Sequence, residues 1–170
     1  MEQSLDKTKS KEEIFKEVES YINTIVRIAN MDTERPWGGF LVIEENDAEK
    51  FIAKFFPELT REALSISGKL SPKILIVGPH KKLSWQYHHR RAEVWRLING
   101  TAGVVRSDDD TEKELTILQK GDKIELQQGE RHRLVGLDGW GIVAEIWRHT
   151  DAEHPSDEDD IVRVQDDFGR

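Results

Sequence analysis

The sequence predicts an all-β domain, an antiparallel sandwich or barrel of jelly-roll type, with an N-terminal helix and a short helical insertion. Two patterns predict it. Beyond residue 73 the chain breaks into short apolar runs at 74–77, 94–98, 103–106, 114–118, 123–126, 132–135 and 142–147. Turn formers separate them, as in Asn99-Gly100, Lys120-Gly121-Asp122 and Leu137-Asp138-Gly139. Short strands at fairly regular spacing bury their apolar faces by packing two sheets or closing one. A chain of 170 residues makes one domain with a sizeable core.

The elements ahead of this region read differently. In residues 10–30, Ile14, Val18, Tyr21, Ile22, Ile25, Val26 and Ala29 recur at three- and four-residue steps, the period of an amphipathic helix. Ser10 caps it, and Glu13 three residues on completes a capping box. This helix is expected to pack across the outside of the domain, and its apolar face offers a homodimer contact. Residues 1–33 are thus a helical extension and 34–170 the β domain. Glu34-Arg35-Pro36-Trp37-Gly38-Gly39 makes a rigid turn before a strand at 40–43, and residues 47–56 form a short helix that stops at Pro57. The C-terminal stretch 157–170 is too polar for another core strand.

Charge and composition exclude several functions. The formal net charge of -8 disfavours broad binding to nucleic acid or an anionic membrane. With no cysteine, neither disulfides nor thiolate metal sites are available. The first residues are charged and lack an apolar core, and no apolar run approaches a membrane span, so a cytoplasmic protein is expected.

The segment Gln86-Tyr87-His88-His89-Arg90-Arg91-Ala92-Glu93 carries the chemistry. On a strand, Gln86 and His88 project from one face, and a turn through residues 89–92 returns Glu93 to it. Gly129-Glu130-Arg131-His132 brings a second imidazole at a loop-to-strand junction. Gln86, His88, Glu93 and His132 together make a mixed nitrogen and oxygen set suited to one divalent transition metal.

The order Gln86-x-His88-(x4)-Glu93-(x6)-Gly100, then Gly121-(x7)-Gly129-(x2)-His132, resembles the paired signature of the cupin superfamily. Gln86 stands where the first motif has its first histidine, a change typical of phosphomannose isomerases. Arg35-Pro36-Trp37-Gly38, Lys82-Leu83-Ser84-Trp85-Gln86, Arg91-Ala92-Glu93 and the tail from Glu158 to Arg170 resemble the type II phosphomannose isomerase domain. Val94 and Arg90 replace frequent histidines, Gln127 replaces a usual proline, and the segment 46–73 is longer than usual. The resemblance implies a cupin barrel and a metal-dependent isomerase acting on a small-molecule sugar phosphate, mannose 6-phosphate in the first place. Zn is the implied ion, and Mn, Fe, Co or Ni would suit the same donors. Cupins commonly pair through their sheets, which adds to the expectation of a homodimer.

Aldose–ketose interconversion moves a proton between adjacent carbons and builds charge on oxygen. Lys82, Glu145, His89 and a metal-bound water are the acid/base candidates, with Arg133 beside His132 a further catalytic candidate. Ser84, Arg163 and Arg170 are candidates to hold substrate, since a guanidinium grips phosphate with two parallel bonds. Alternatives stay open: an isomerase of a heptose phosphate or a free aldose, an iron oxygenase, or a non-catalytic sugar-binding or sensing cupin. No Gly-rich nucleotide loop precedes the cupin, so the guanylyltransferase activity of fused family members is not expected.

Overall fold

The computed structural model describes residues 8–59 and 69–167. Helix α1 (Lys11–Asn23) is followed by β1 (Ile28–Asp32), β2 (Gly38–Ile43), a 3-10 turn (Glu45–Asp47) and α2 (Ala48–Phe55). Then come β3 (Lys73–Val77), β4 (Trp85–Tyr87), β5 (Arg91–Ser107), β6 (Thr116–Leu118), β7 (Lys123–Leu126), β8 (Arg131–His149) and β9 (Val162–Gln165). The strands form one curled antiparallel sheet in the order β1-β2-β3-β8-β4-β9, while β5 pairs with β8 and also carries β6 and β7. This is the expected jelly-roll type of barrel with its helix and helical insertion. No helix among the described residues is long and apolar enough to cross a membrane.

The Ser10 hydroxyl caps α1 by accepting from the Glu13 amide at 3.2 Å, as the capping pattern predicts. The helix ends sooner than its periodicity suggested. Ile28 and Ala29 lie instead in β1, laddered to β2. The cause lies between the two elements: Asp47 accepts from the Arg27 amide at 2.7 Å and from its guanidinium at 3.0 Å, drawing the chain towards β2. The apolar face of α1 is not free either. Ile14, Phe15, Val18 and Ile22 are buried in one cluster with Phe51, Ile52 and Phe55 of α2 and with the outer face of the sheet. That face therefore supplies no reason for dimerisation.

Four expected strands are two long ones. The runs 94–98 and 103–106 belong to the single β5, and 132–135 and 142–147 to the single β8. The turn signal at Asn99-Gly100 marks irregularities in the β5–β8 register, between Leu97 and Asn99 and between Gly100 and Ala102. These breaks reverse sidedness. In the first half of β5, Trp95 and Leu97 face the barrel interior, whereas in the second half Ala102 and Val104 do. On β8 the interior residues change in the same way from Leu134 to Val143.

The tail adds no core strand, as its polarity predicts: β9 is a solvated strand on the edge of β4, with Arg163 opposite Gln86. At the other end of the sheet, Gly38 has φ +147°, and a Cβ there would lie 1.8 Å from the Ile76 carbonyl oxygen. Only glycine lets β2 leave the Arg35–Gly38 turn so close to β3.

Candidate metal centre and cleft

Strand alternation divides β3, β5 and β8 into two faces. Ile74, Ile76, Val94, Ile142, Ala144 and Ile146 pack outward under the helices. Lys73, Glu93, Trp95, Glu145 and Trp147 line a cleft on the inner face, together with Arg35, Ser84, Gln86 and Arg163. Gln86 is paired directly with His132 across β4 and β8, which sends both side chains to the same side.

His88, Glu93 and His132 are all buried, and their candidate ligand atoms lie within 4.8 Å of one another. The Nε2 atoms of His88 and His132 are 3.4 and 2.9 Å from Glu93 Oε1. Their other ring nitrogens fix the tautomers. His88 Nδ1 lies 2.7 Å from the Asp160 carbonyl oxygen, and His132 Nδ1 2.9 Å from that of Glu130. A carbonyl only accepts, so each Nδ1 carries the proton and each Nε2 turns a lone pair inward. Burial pushes the His88 imidazole below its ordinary pKa, which keeps it in the neutral, ligating form.

Among the described residues, Glu93 Oε1 and His132 Nε2 have no hydrogen-bond partner. Two acceptors facing each other in a dry site repel, and a cation between them removes the conflict. The three residues therefore fit a divalent ion. The second carboxylate oxygen is spoken for, since Arg91 Nε approaches Glu93 Oε2 at 3.3 Å. Burial alone would raise the Glu93 carboxyl; the facing imidazoles and Arg91 outweigh it and hold it well below the carboxylate range. Arg91 itself is fixed by stacking 3.6 Å from the Trp147 ring centroid.

Glu145 accepts from the indole N–H groups of Trp95 and Trp147 at 2.7 and 2.8 Å. Burial, and then the charge of Glu93, nevertheless push its carboxyl up to about 8. Lys73 faces Glu145 across β3 and β8, with its ammonium 4.5 Å from the Phe40 and Trp147 ring centroids and paired with Glu158.

The structure thus brings together Ser84, Gln86, His88, Glu93, His132, Glu145 and Arg163. It does not bring in Lys82 or Arg133. Lys82 is exposed, outside the cleft lining, and its backbone bridges to Val135. Arg133 points away from His132, donating to the Leu83 carbonyl at 2.9 Å and to Glu112 at 3.2 Å, because adjacent strand residues take opposite faces. His89 is exposed and meets the Tyr87 ring edge-on. Arg170 lies outside the described residues. Sequence reasoning missed Lys73, Arg35 and Arg91. Arg35 and Arg91 sat in quoted motifs without a role, and Lys73 carried one signal, a cation alternating inward with Leu75 and Val77.

Residues 52–166 match the family described as Mannose-6-phosphate isomerase C-terminal. The xanthan biosynthesis protein XanB of Xanthomonas campestris pv. campestris is 31% identical over 109 residues, 64% of this chain and 22% of that protein. The alginate biosynthesis protein AlgA of Pseudomonas aeruginosa is 32% identical over 109 residues, 64% of this chain and 21% of that one. The chain therefore spans about a fifth of the length of these relatives. Among solved structures, the capsular polysaccharide assembling protein CapF of Staphylococcus aureus shares the fold alone, at 12% identity and a TM-score of 0.54 over 80% of this chain and 34% of that chain. The matched segment contains β4, β5 and β8 with all three buried metal-type donors, and the chain, a cupin by fold, belongs to the mannose-6-phosphate isomerase C-terminal family.

Proposed function

We propose that the protein is a metal-dependent aldose–ketose isomerase of a sugar phosphate, with mannose 6-phosphate and fructose 6-phosphate the best-supported pair. One observation carries the reading: the segment matching the family holds a buried His/Glu/His set in which Glu93 Oε1 and His132 Nε2 lack hydrogen-bond partners among the described residues. His88, Glu93 and His132 would hold the ion, with the Gln86 carboxamide as a fourth donor. Zn is the first choice, and Mn, Fe, Co or Ni also suit the set. Such an ion would polarise a substrate oxygen as a Lewis acid.

The chain's own groups supply the rest. Ser84 donates to the Gln86 carboxamide oxygen and so orients it. Glu145, whose carboxyl burial pushes up to about 8, lines the cleft wall and would give a proton to a developing enediol oxygen. Lys73, Arg35 and Arg163 line the same cleft and would take the phosphate. A phosphorylated metabolite as substrate goes with a cytoplasmic working place.

One observation favours a second reading. Lys73, the buried ammonium of the cleft, is already paired with Glu158. A free aldose or a sugar bound without turnover would leave that pair intact.

Solvent-deuterium exchange decides between them. Metal-loaded protein in D₂O is expected to place deuterium at C1 or C2 of mannose 6-phosphate and fructose 6-phosphate. Exchange only with a heptose phosphate or a free aldose would move the substrate. No exchange across the panel with any of the five metals, alongside sugar binding, would establish the binding module.

A further inference from the structure

We infer that Asp160 is a positioning residue for the metal ligand His88, and that docking of the segment 156–165 and metal uptake are one linked equilibrium. The inference rests on the metal part of the proposed function and not on the isomerase reaction.

Asp157-Glu158-Asp159-Asp160 has the composition of a solvated acidic turn. Asp160 is nevertheless buried. Its Oδ1 accepts from the His89 amide at 2.9 Å, and its Oδ2 from the Arg90 amide at 3.0 Å and the Ser156 hydroxyl at 2.6 Å. Its backbone carbonyl accepts from His88 Nδ1 at 2.7 Å. One residue thus binds three consecutive residues of the turn that presents the ligand. The carboxylate sets the path of the backbone, while the carbonyl sets the rotation and tautomer of the His88 ring, so that Nε2 faces Glu93.

The same segment aims a second ligand. Arg91 donates to the Ser156 hydroxyl at 2.9 Å and to the Asp157 carbonyl at 3.0 Å, and its Nε lies beside Glu93 Oε2. Two of the three candidate ligand residues therefore owe their orientation to a stretch more than sixty residues away in sequence. That stretch also brings Glu158, Ile161 and Arg163 to the cleft wall. An ion that binds tightly only when His88 and Glu93 are aimed favours the docked segment by the same factor by which docking favours the ion. Metal loading and completion of the cleft wall are then a single event.

The test uses the full chain with zinc alone, the variants Asp160→Ala, Asp160→Asn and Ser156→Ala, and no turnover assay. In wild type, zinc is expected to slow amide hydrogen exchange at His89, Arg90 and residues 162–165. Chelator competition should show zinc affinity falling about 10- to 100-fold in Asp160→Ala, less in Asp160→Asn and least in Ser156→Ala. The nitrogen shifts of the His88 ring should show a mixed tautomer in Asp160→Ala. A folded Asp160→Ala protein with wild-type zinc affinity would overturn the inference. So would exchange at those amides that zinc leaves unchanged, a wild-type measurement that stands even if the alanine variant does not fold. Failure of the isomerase reading would show in turnover alone and leave these readouts as they are.

Discussion

Ile142, Ala144 and Ile146 alternate along β8 with Val143, Glu145 and Trp147, and the two sets meet different surroundings. The first packs with Ile74, Ile76 and Val94 in an apolar cluster under two helices. The second joins Lys73, Arg91 and Glu93 in a cleft where charges are stripped of water. The outer face is built for burial, and its residues are interchangeable with others of similar volume. On the inner face the buried polar and charged groups are held by specific partners: Arg91 on Glu93, two indoles on Glu145, two rings and Glu158 around Lys73. One face makes the domain stable, while the other accepts unfavourable burial and gains reactive groups.

Substitutions can separate the two faces. The largest effect on folding is expected from Ile142→Ala, which should cost about 2–5 kcal/mol in denaturant unfolding while leaving the zinc affinity of the folded protein unchanged. His132→Ala should do the reverse. Chelator competition should show zinc binding weakened about 100-fold or more, with the zinc-free protein losing less stability than Ile142→Ala does. If the two variants lose stability equally and both keep the metal, the division of labour between the faces is wrong.

Smaller effects sharpen the inner face. Lys73→Met should raise KM for mannose 6-phosphate about tenfold in steady-state kinetics, the loss of one charge-assisted contact. The His149 ring, buried and accepting from the Ser156 amide at 2.9 Å, has a pKa lowered to about 4 by burial first and then by Lys69 and Arg91. The unfolded chain therefore binds a proton there before the folded one does. Its contribution to stability is complete above the ordinary value of 6.5 and is lost as pH falls towards about 4. Unfolding followed across that range should slope downward with falling pH, and His149→Gln should flatten the slope. Least of all, exposed Lys82→Ala should change stability by less than about 0.5 kcal/mol and turnover by less than about twofold.

The candidate metal donors were legible because alternation and a short turn act locally: Gln86, His88 and Glu93 need only a few residues to find one face. His132 followed from the second motif. Glu145 was not decidable from β8 alone, because its direction depends on pairing with Lys73 and Trp95 on strands far away in sequence. Lys73 is easily passed over for a related reason: its alternation with Leu75 and Val77 points it inward, but a lysine opening a strand ordinarily lies at the surface. The helix was over-extended because Ile28 and Ala29 keep helical spacing, and periodicity does not register the Arg27–Asp47 contact that ends it. Asp160 looked solvated because composition records an acidic run, whereas burial of one of its members is decided by a turn that lies elsewhere in the sequence.

The register breaks in β5 and β8 have a consequence for how this barrel can change length. They act like a frame shift in sidedness. Trp95 and Leu97 point inward before the break in β5, and Ala102 and Val104 point inward after it. Leu97 and Ala102 both face inward five positions apart, an odd spacing that only the break permits. Removing or adding one residue between them would turn one half of the strand inside out unless the break itself were lost with it. Both strands cross the barrel with a cleft residue on one side of the break and core residues on the other. A viable change there must remove the break with it, come in pairs of residues, or be matched in the partner strand at the same time. Asn99 and Leu137-Asp138-Gly139, which look like ordinary loop sequence, should therefore tolerate substitution better than a change in number, whereas Gly100, at φ +76°, should tolerate neither.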